Sequence, residues 1–232
     1  MSGKASRPSL IQRRFWSRRR AYYEAVFNLA LLLLRERKEL WADEPNLVRE
    51  LRFTTVTARR KLDPEGHFGS PCFEAQNPPD PDADCVQPFE HKRPDIQWRH
   101  DDEGAEDDRH REKSFVIECK RLGAKTASGW DLNEQYVSGG IARFVSLEHK
   151  YGHHMSEGMM IGFIQSMEPT VTLSILNRHL AARALAPIQL DGSFITDGVS
   201  CLKHELVRGF CVTPFQLAHR WLDIRKVPQR VN

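Results

Sequence analysis

Two short pieces of the chain carry side chains whose types and spacing suit metal-assisted chemistry: Pro94-Asp95 and, 23 positions after Asp95, Glu118-Cys119-Lys120. Glu118 follows the apolar run Phe115-Val116-Ile117 and so sits on what reads as a largely buried strand. Side chains alternate along a strand, which sends Glu118 and Lys120 to one face and Cys119 to the other. If the strand opened by Asp95 pairs beside this one, two carboxylates and an ammonium converge on a small volume. Two hard carboxylate oxygens, helped by the Cys119 carbonyl, suit Mg²⁺ or Mn²⁺ and leave positions for water and a phosphate. Such an ion polarises the phosphate and acidifies bound water, while Lys120 orients that water or stabilises developing charge. Without an ion the two carboxylates repel, and at least one pKa rises. The competing reading is a surface salt-bridge cluster at a sheet edge.

These residues need elements to position them. Residues 19–40 have a broad apolar face (Tyr23, Val26, Phe27, Ala30, Leu31, Leu33, Leu34) closed by charged Arg35 to Glu39, which predicts a helix. Asp43-Glu44-Pro45 supplies a cap, an acidic first turn and an early proline for a second helix ending near Lys61. Residues 62–90 are rich in Pro, Gly and Asp and form a long irregular connection, of a length that suits a drape over the site or the neighbouring sheet face. RPDIQW and SFVIECKRL are strands joined by the acidic excursion 101–113. Residues 131–149 are a helix ending near Tyr151-Gly152, EGMMIGFIQ is a buried strand, and VTLSILNRHLAARAL is a helix or a strand-to-helix stretch. ITDGVSCLKHEL contains a late strand, and Thr213-Pro214 opens a last short helix, PFQLAHRWLDI. Helices and strands mixed in this order predict an α/β protein with a central mixed β-sheet flanked by helices.

The net charge of +3 conceals segregation: residues 1–61 balance at +9, 63–118 at −10 and 119–232 at +4. Basic surface favours a polyanionic partner, and an acidic cluster near a catalytic strand repels phosphate unless a divalent ion intervenes. Five scattered cysteines with no secretory signal predict a reduced, cytoplasmic protein. The longest apolar run, Ala25 to Leu34, is too short to span a bilayer, so no membrane association is expected. His67, Cys72, Cys85 and His91 are zinc-ligand types, but intervals of four, twelve and five residues do not form zinc knuckles. His153-His154 reads as a loop feature and the acidic run as a solvated hairpin tip.

RPDIQW followed by FVIECKRLG resembles the signature of the PD-(D/E)XK nuclease superfamily, with Asp95, Glu118 and Lys120 at its three positions. The resemblance covers roughly residues 44–225 and implies a restriction-endonuclease-like domain (44–232) behind a basic N-terminal helical extension (1–43). It implies an endonuclease that hydrolyses DNA phosphodiesters with Mg²⁺ or Mn²⁺ held by Asp95, Glu118 and the Cys119 carbonyl, and an effector role in bacterial antiviral defence. It further implies an acid from the helix before the first strand, for which Glu50 is the choice and Glu44 the competitor. From the helix after the ExK strand it implies Gln135 and Tyr136 near the metal-bound water or phosphate, and Arg143 on the nucleic-acid backbone. SCLKHELVRGF and LAHRWLDI resemble the superfamily's last strand and helix, which makes His204 and Arg208 phosphate contacts. Neither an ATPase motif nor a sequence-reading module is present, which leaves targeting to a partner protein or to a homo-oligomer. Two other classes stay open: an RNA-directed nuclease, and a non-catalytic module of the same fold that binds nucleic acid or protein.

Overall fold

The computed structural model describes residues 10–196, 198–210 and 213–231, with side chains from Phe15 onward. The apolar stripe of the first helix, α1 (Leu10–Arg35), repeats at three and four residues, and Tyr23, Val26, Phe27, Ala30, Leu31 and Leu34 are fully buried. A two-residue strand, β1 (Leu40–Trp41), leads to α2 (Glu44–Leu62). There the Asp43 side chain caps the helix by accepting from the Asn46 N–H at 3.0 Å. Both helices pack on the same sheet face, against Trp98, Phe115, Ile117, Cys119, Met159 and Ile161. The basic first helix therefore shares its core with the sheet.

Residues 63–91 run along the sheet edge. A short strand, β2 (Cys72–Phe73), pairs antiparallel with β3 (Ile96–Asp101), and Gln97 and Trp98 donate to the carbonyls of Gln76 and Phe68. β3 and β4 (Glu112–Leu122) form the expected antiparallel hairpin with the acidic segment as its tip. Helical residues then cross the opposite face: α3 (Leu132–Tyr136), a π-helical turn (Val137–Ile141) and α4 (Ala142–Val145). After β5 (Glu157–Ile164) come α5 (Pro169–Ala181), β6 (Gln189–Leu190), β7 (Val199–Leu206), β8 (Phe215–Asp223) and β9 (Gln229–Arg230). The principal sheet is mixed, with seven strands in the order β2-β3-β4-β5-β8-β7-β6 and with β4, β5 and β8 parallel. β9 pairs with β1 outside it. Helices cover both faces, which gives a mixed α/β architecture. No helix among the described residues is long and apolar enough to cross a membrane.

One expected element is wrong. PFQLAHRWLDI is β8, an interior strand of the sheet between β5 and β7. Lying between two covered faces, it buries Phe215, Leu217, His219, Arg220, Trp221 and Leu222 and so loses the period-two alternation that marks a half-exposed strand. The Thr-Pro pair ahead of it therefore passes for a helix start.

Candidate active site

The site forms where β4 outruns its neighbour. The last β3–β4 pair is Ile96 with Ile117, whereas β4 continues to Leu122. Beyond Ile117 one edge of β4 is paired with β5 and the other is bare. Residues 119 and 121 turn their backbone groups to that bare edge, and carboxylates meet them there. Asp95 accepts the Cys119 N–H at 2.7 Å, and Glu44, in the first turn of α2, accepts the Arg121 N–H at 3.2 Å. These two acids stand in for the missing strand.

Glu118 and Lys120 point to the face covered by α3 and α4, as alternation requires. Glu118 is completely buried. Its Oε1 lies 3.1 Å from the Lys120 ammonium and also receives Arg143 of α4, while its Oε2 faces the Asp95 N–H at 3.4 Å. Lys120 Nζ additionally reaches Glu44 Oε1 at 2.6 Å and donates to the Cys119 carbonyl at 2.8 Å. The helix above comes close because it carries Gly139 and Gly140 in the π turn. A Cβ on Gly140 would lie 2.6 Å from Met160 Cε and 3.3 Å from Lys120 Cγ. One on Gly139 would lie 3.2 Å from Gln135 Oε1 and 3.9 Å from Lys120 Cε, so Gln135 borders the lysine without bonding it.

The electrostatics follow from burial. Desolvation, then the charge of Asp95, pushes the Glu118 carboxyl up to about 8 in spite of Lys120 and Arg143. Desolvation likewise raises Asp95, against the pull of Lys120 and the Cys119 N–H. Burial alone would lower Lys120, but Glu118, Asp95 and Glu44 together hold its ammonium above the ordinary lysine range. Three carboxyl groups thus face two cations, and the fold opposes the ionisation of two of them.

No family model matches this chain, and no curated protein or solved structure matches it. The chemistry of the site therefore has to be read from the donors themselves. Asp95, Glu118 and the Cys119 carbonyl are hard oxygen donors without a thiolate or imidazole among them, a donor set that fits Mg²⁺ or Mn²⁺. Among the described residues no group of three or more His, Cys, Asp or Glu side chains converges at metal-binding distance, so the fit rests on two carboxylates and a carbonyl.

The remaining expectations divide. Of the two helix acids, Glu44 reaches Lys120, whereas Glu50 contacts Arg49 at 3.4 Å. Six residues along a helix amount to about 9 Å of rise and about 120° of rotation, so both acids cannot serve the site. Arg143 is at the site, held by Glu118 and lying over the Tyr151 ring at 5.9 Å. Tyr136 is core: its hydroxyl bonds His219 Nδ1 at 2.7 Å and accepts from Trp221 Nε1 at 3.1 Å, so it cannot meet a ligand. His204 is buried with Nε2 on the Ala186 carbonyl at 2.7 Å. Arg208 is buried too, clamping the carbonyls of Tyr151, Gly152 and Met155 and lying 3.9 Å over the Phe215 ring. Neither is a phosphate contact, because each already satisfies backbone acceptors inside the protein. The direct ion pair between Arg143 and Glu118 has no local sequence signal, since it joins a strand to a helix 25 residues on.

Proposed function

We propose that the chain is a metal-dependent phosphodiesterase acting on nucleic acid, with a restriction-endonuclease-like arrangement of its mixed sheet. The observation that carries this reading is the convergence of Asp95, Glu118 and the Cys119 carbonyl with Lys120 at the bare edge of β4. A structural salt bridge has no need of a fully buried carboxylate whose ionisation the fold opposes. Asp95, Glu118 and the Cys119 carbonyl would hold a Mg²⁺ or Mn²⁺ ion, which supplies Lewis-acid activation of the phosphate and of a water.

The protein's own groups have separable tasks. Lys120 keeps its proton at neutral pH, so it acts as a fixed cation beside the phosphate and not as a general base. Glu44 orients that ammonium through its 2.6 Å contact. Arg143, partly exposed, is within reach of a phosphate once it leaves Glu118. The buried floor excludes water from Glu118 and strengthens each of these interactions.

The test is cleavage of supercoiled plasmid and of RNA in EDTA, Mg²⁺ or Mn²⁺ by wild type and Lys120→Ala. Metal-dependent cleavage that is lost in the variant supports the assignment, and cleavage unchanged by Lys120→Ala sinks it. A second reading, a binding module that performs no chemistry, is favoured by one feature: Lys120 and Arg143 already engage Glu118. Under that reading both proteins are inert with every metal and substrate.

A further inference from the structure

The solvent face of α2 runs back from the helix end that carries Glu44. Arg49, Arg52, Phe53, Val56 and Arg60, separated by three, one, three and four residues, fall within about 100° of the helix circumference, and all are exposed. A helix face that only meets water pairs its bases with acids one turn away and shows little large apolar surface. The stripe itself carries no acid, Glu50 beside it lying 3.4 Å from Arg49, and Phe53 and Val56 keep 47% and 46% of their surface open. Among the described residues neither Arg52 nor Arg60 has an ion-pair partner. The guanidinium of Arg49 lies over the Phe53 ring at 5.1 Å, and that of Arg52 lies over Phe73 at 5.2 Å. From Glu44, whose carboxylate touches Lys120, to Arg60 the helix extends about 24 Å.

We propose that this face of α2 is a track for a single-stranded nucleic acid that delivers the strand to the site at the Glu44 end. The inference rests on the nuclease reading and adds a substrate class and a binding surface to it. Cations interleaved with flat apolar surface match a strand that offers phosphates and unpaired base faces in alternation; a duplex keeps its bases stacked inside. The length suits about four nucleotides, the lower end of what single-strand grooves accommodate. Arg49, Arg52 and Arg60 neutralise phosphates, and Phe53 offers a ring to a base.

Fluorescence anisotropy in EDTA, with oligo(dT) and a mixed-sequence duplex each about 20 nucleotides long, separates binding from cleavage. Wild type is expected to bind oligo(dT) more tightly than the duplex. R52E/R60E should weaken oligo(dT) binding at least tenfold and reduce the slope of log K against log salt by about 1.4, the value for two phosphate contacts on a single strand. F53A should weaken binding about fivefold or more with the salt slope unchanged. All these positions are exposed, so the variants' thermal unfolding should match wild type.

Equal affinity for duplex and single strand, or R52E/R60E binding like wild type, overturns the assignment. So does a wild-type protein that binds neither oligonucleotide but forms a dimer that R52E/R60E abolishes, for then the stripe docks the acidic hairpin of a second copy. If wild type binds oligo(dT) and loses it in R52E/R60E yet cleaves nothing with any metal, the track stands and the nuclease reading falls. If it cleaves while R52E/R60E binds normally, the track alone falls.

Discussion

Glu118→Gln tests whether the buried carboxylate is kept for chemistry or for stability. Glu118 has no exposed surface, and the fold raises its carboxyl from 4.5 to about 8 with Lys120 and Arg143 already in place. An acid whose pKa is raised by folding stabilises the native state when protonated, and that contribution is lost as pH rises from the unfolded value through the folded one. At pH 7 the unfolded carboxyl is ionised while the buried one keeps its proton; pH 7 lies about 2.5 units inside that window, and each unit is worth about 1.4 kcal/mol, so burying Glu118 costs the fold roughly 3 kcal/mol. Glutamine keeps the shape and an oxygen for Lys120 and Arg143 while removing the charge. Part of the gain is offset by the loss of the carboxylate's attraction to Lys120 and Arg143. The expected outcome is a protein about 1–3 kcal/mol more stable than wild type at pH 7 and devoid of cleavage activity, with the stability difference shrinking towards pH 5. Urea unfolding of both proteins across that range measures it. A variant less stable than wild type by about 3 kcal/mol or more, the usual result of breaking a buried ion pair, would refute the reasoning and return Glu118 to a structural role.

Arg143→Gln removes a cation that competes for Glu118 Oε1, so Mn²⁺ affinity measured by calorimetry should rise about tenfold while cleavage falls; unchanged affinity would show that the arginine does not compete. Burial holds His153 down to about 3 and His100, His154 and His204 to about 4, and it keeps His219 well below the ordinary value. The unfolded chain therefore binds more protons between pH 6.5 and about 4, and stability should fall through that window by about 1 kcal/mol per pH unit for each such histidine, less what Glu118 and Asp95 return; an unfolding free energy flat from pH 7 to 5 would contradict this. Tyr136→Phe strips the partner from Trp221 Nε1 and His219 Nδ1, so denaturant unfolding should show a loss of about 1–3 kcal/mol with oligonucleotide affinity unchanged; weakened binding in a normally stable variant would instead put the hydroxyl at the ligand.

Much of the site was legible because strand alternation and helix capping are local rules. Glu118 and Lys120 share a face, Cys119 turns its side chain to the core and its backbone to the bare edge, and Asp43 caps α2 as its residue type predicts. What escaped was fixed by distant neighbours. Glu44 outcompetes Glu50 because the end of α2, and not its middle, abuts the end of β4, a fact set by tertiary packing. Tyr136, His204 and Arg208 are polar residues of the kind that bind phosphate, but here they saturate buried hydrogen-bonding groups, and sequence alone does not say which side of a sheet is covered. β8 lacks a strand signature for the same reason, since both of its faces are packed by elements distant in sequence.

The bare stretch of β4 is also a hazard, because unpaired strand N–H groups recruit strands from other molecules. Asp95 and Glu44 close it by accepting from Cys119 and Arg121. The carboxylates proposed for chemistry thus also keep the protein dispersed, and the two duties should separate by substitution. Alanine at either position opens the edge and invites concentration-dependent self-association, whereas Asp95→Asn and Glu44→Gln retain an acceptor oxygen and change only the charge. Inactive protein for co-crystallisation with nucleic acid is therefore better made with the amides.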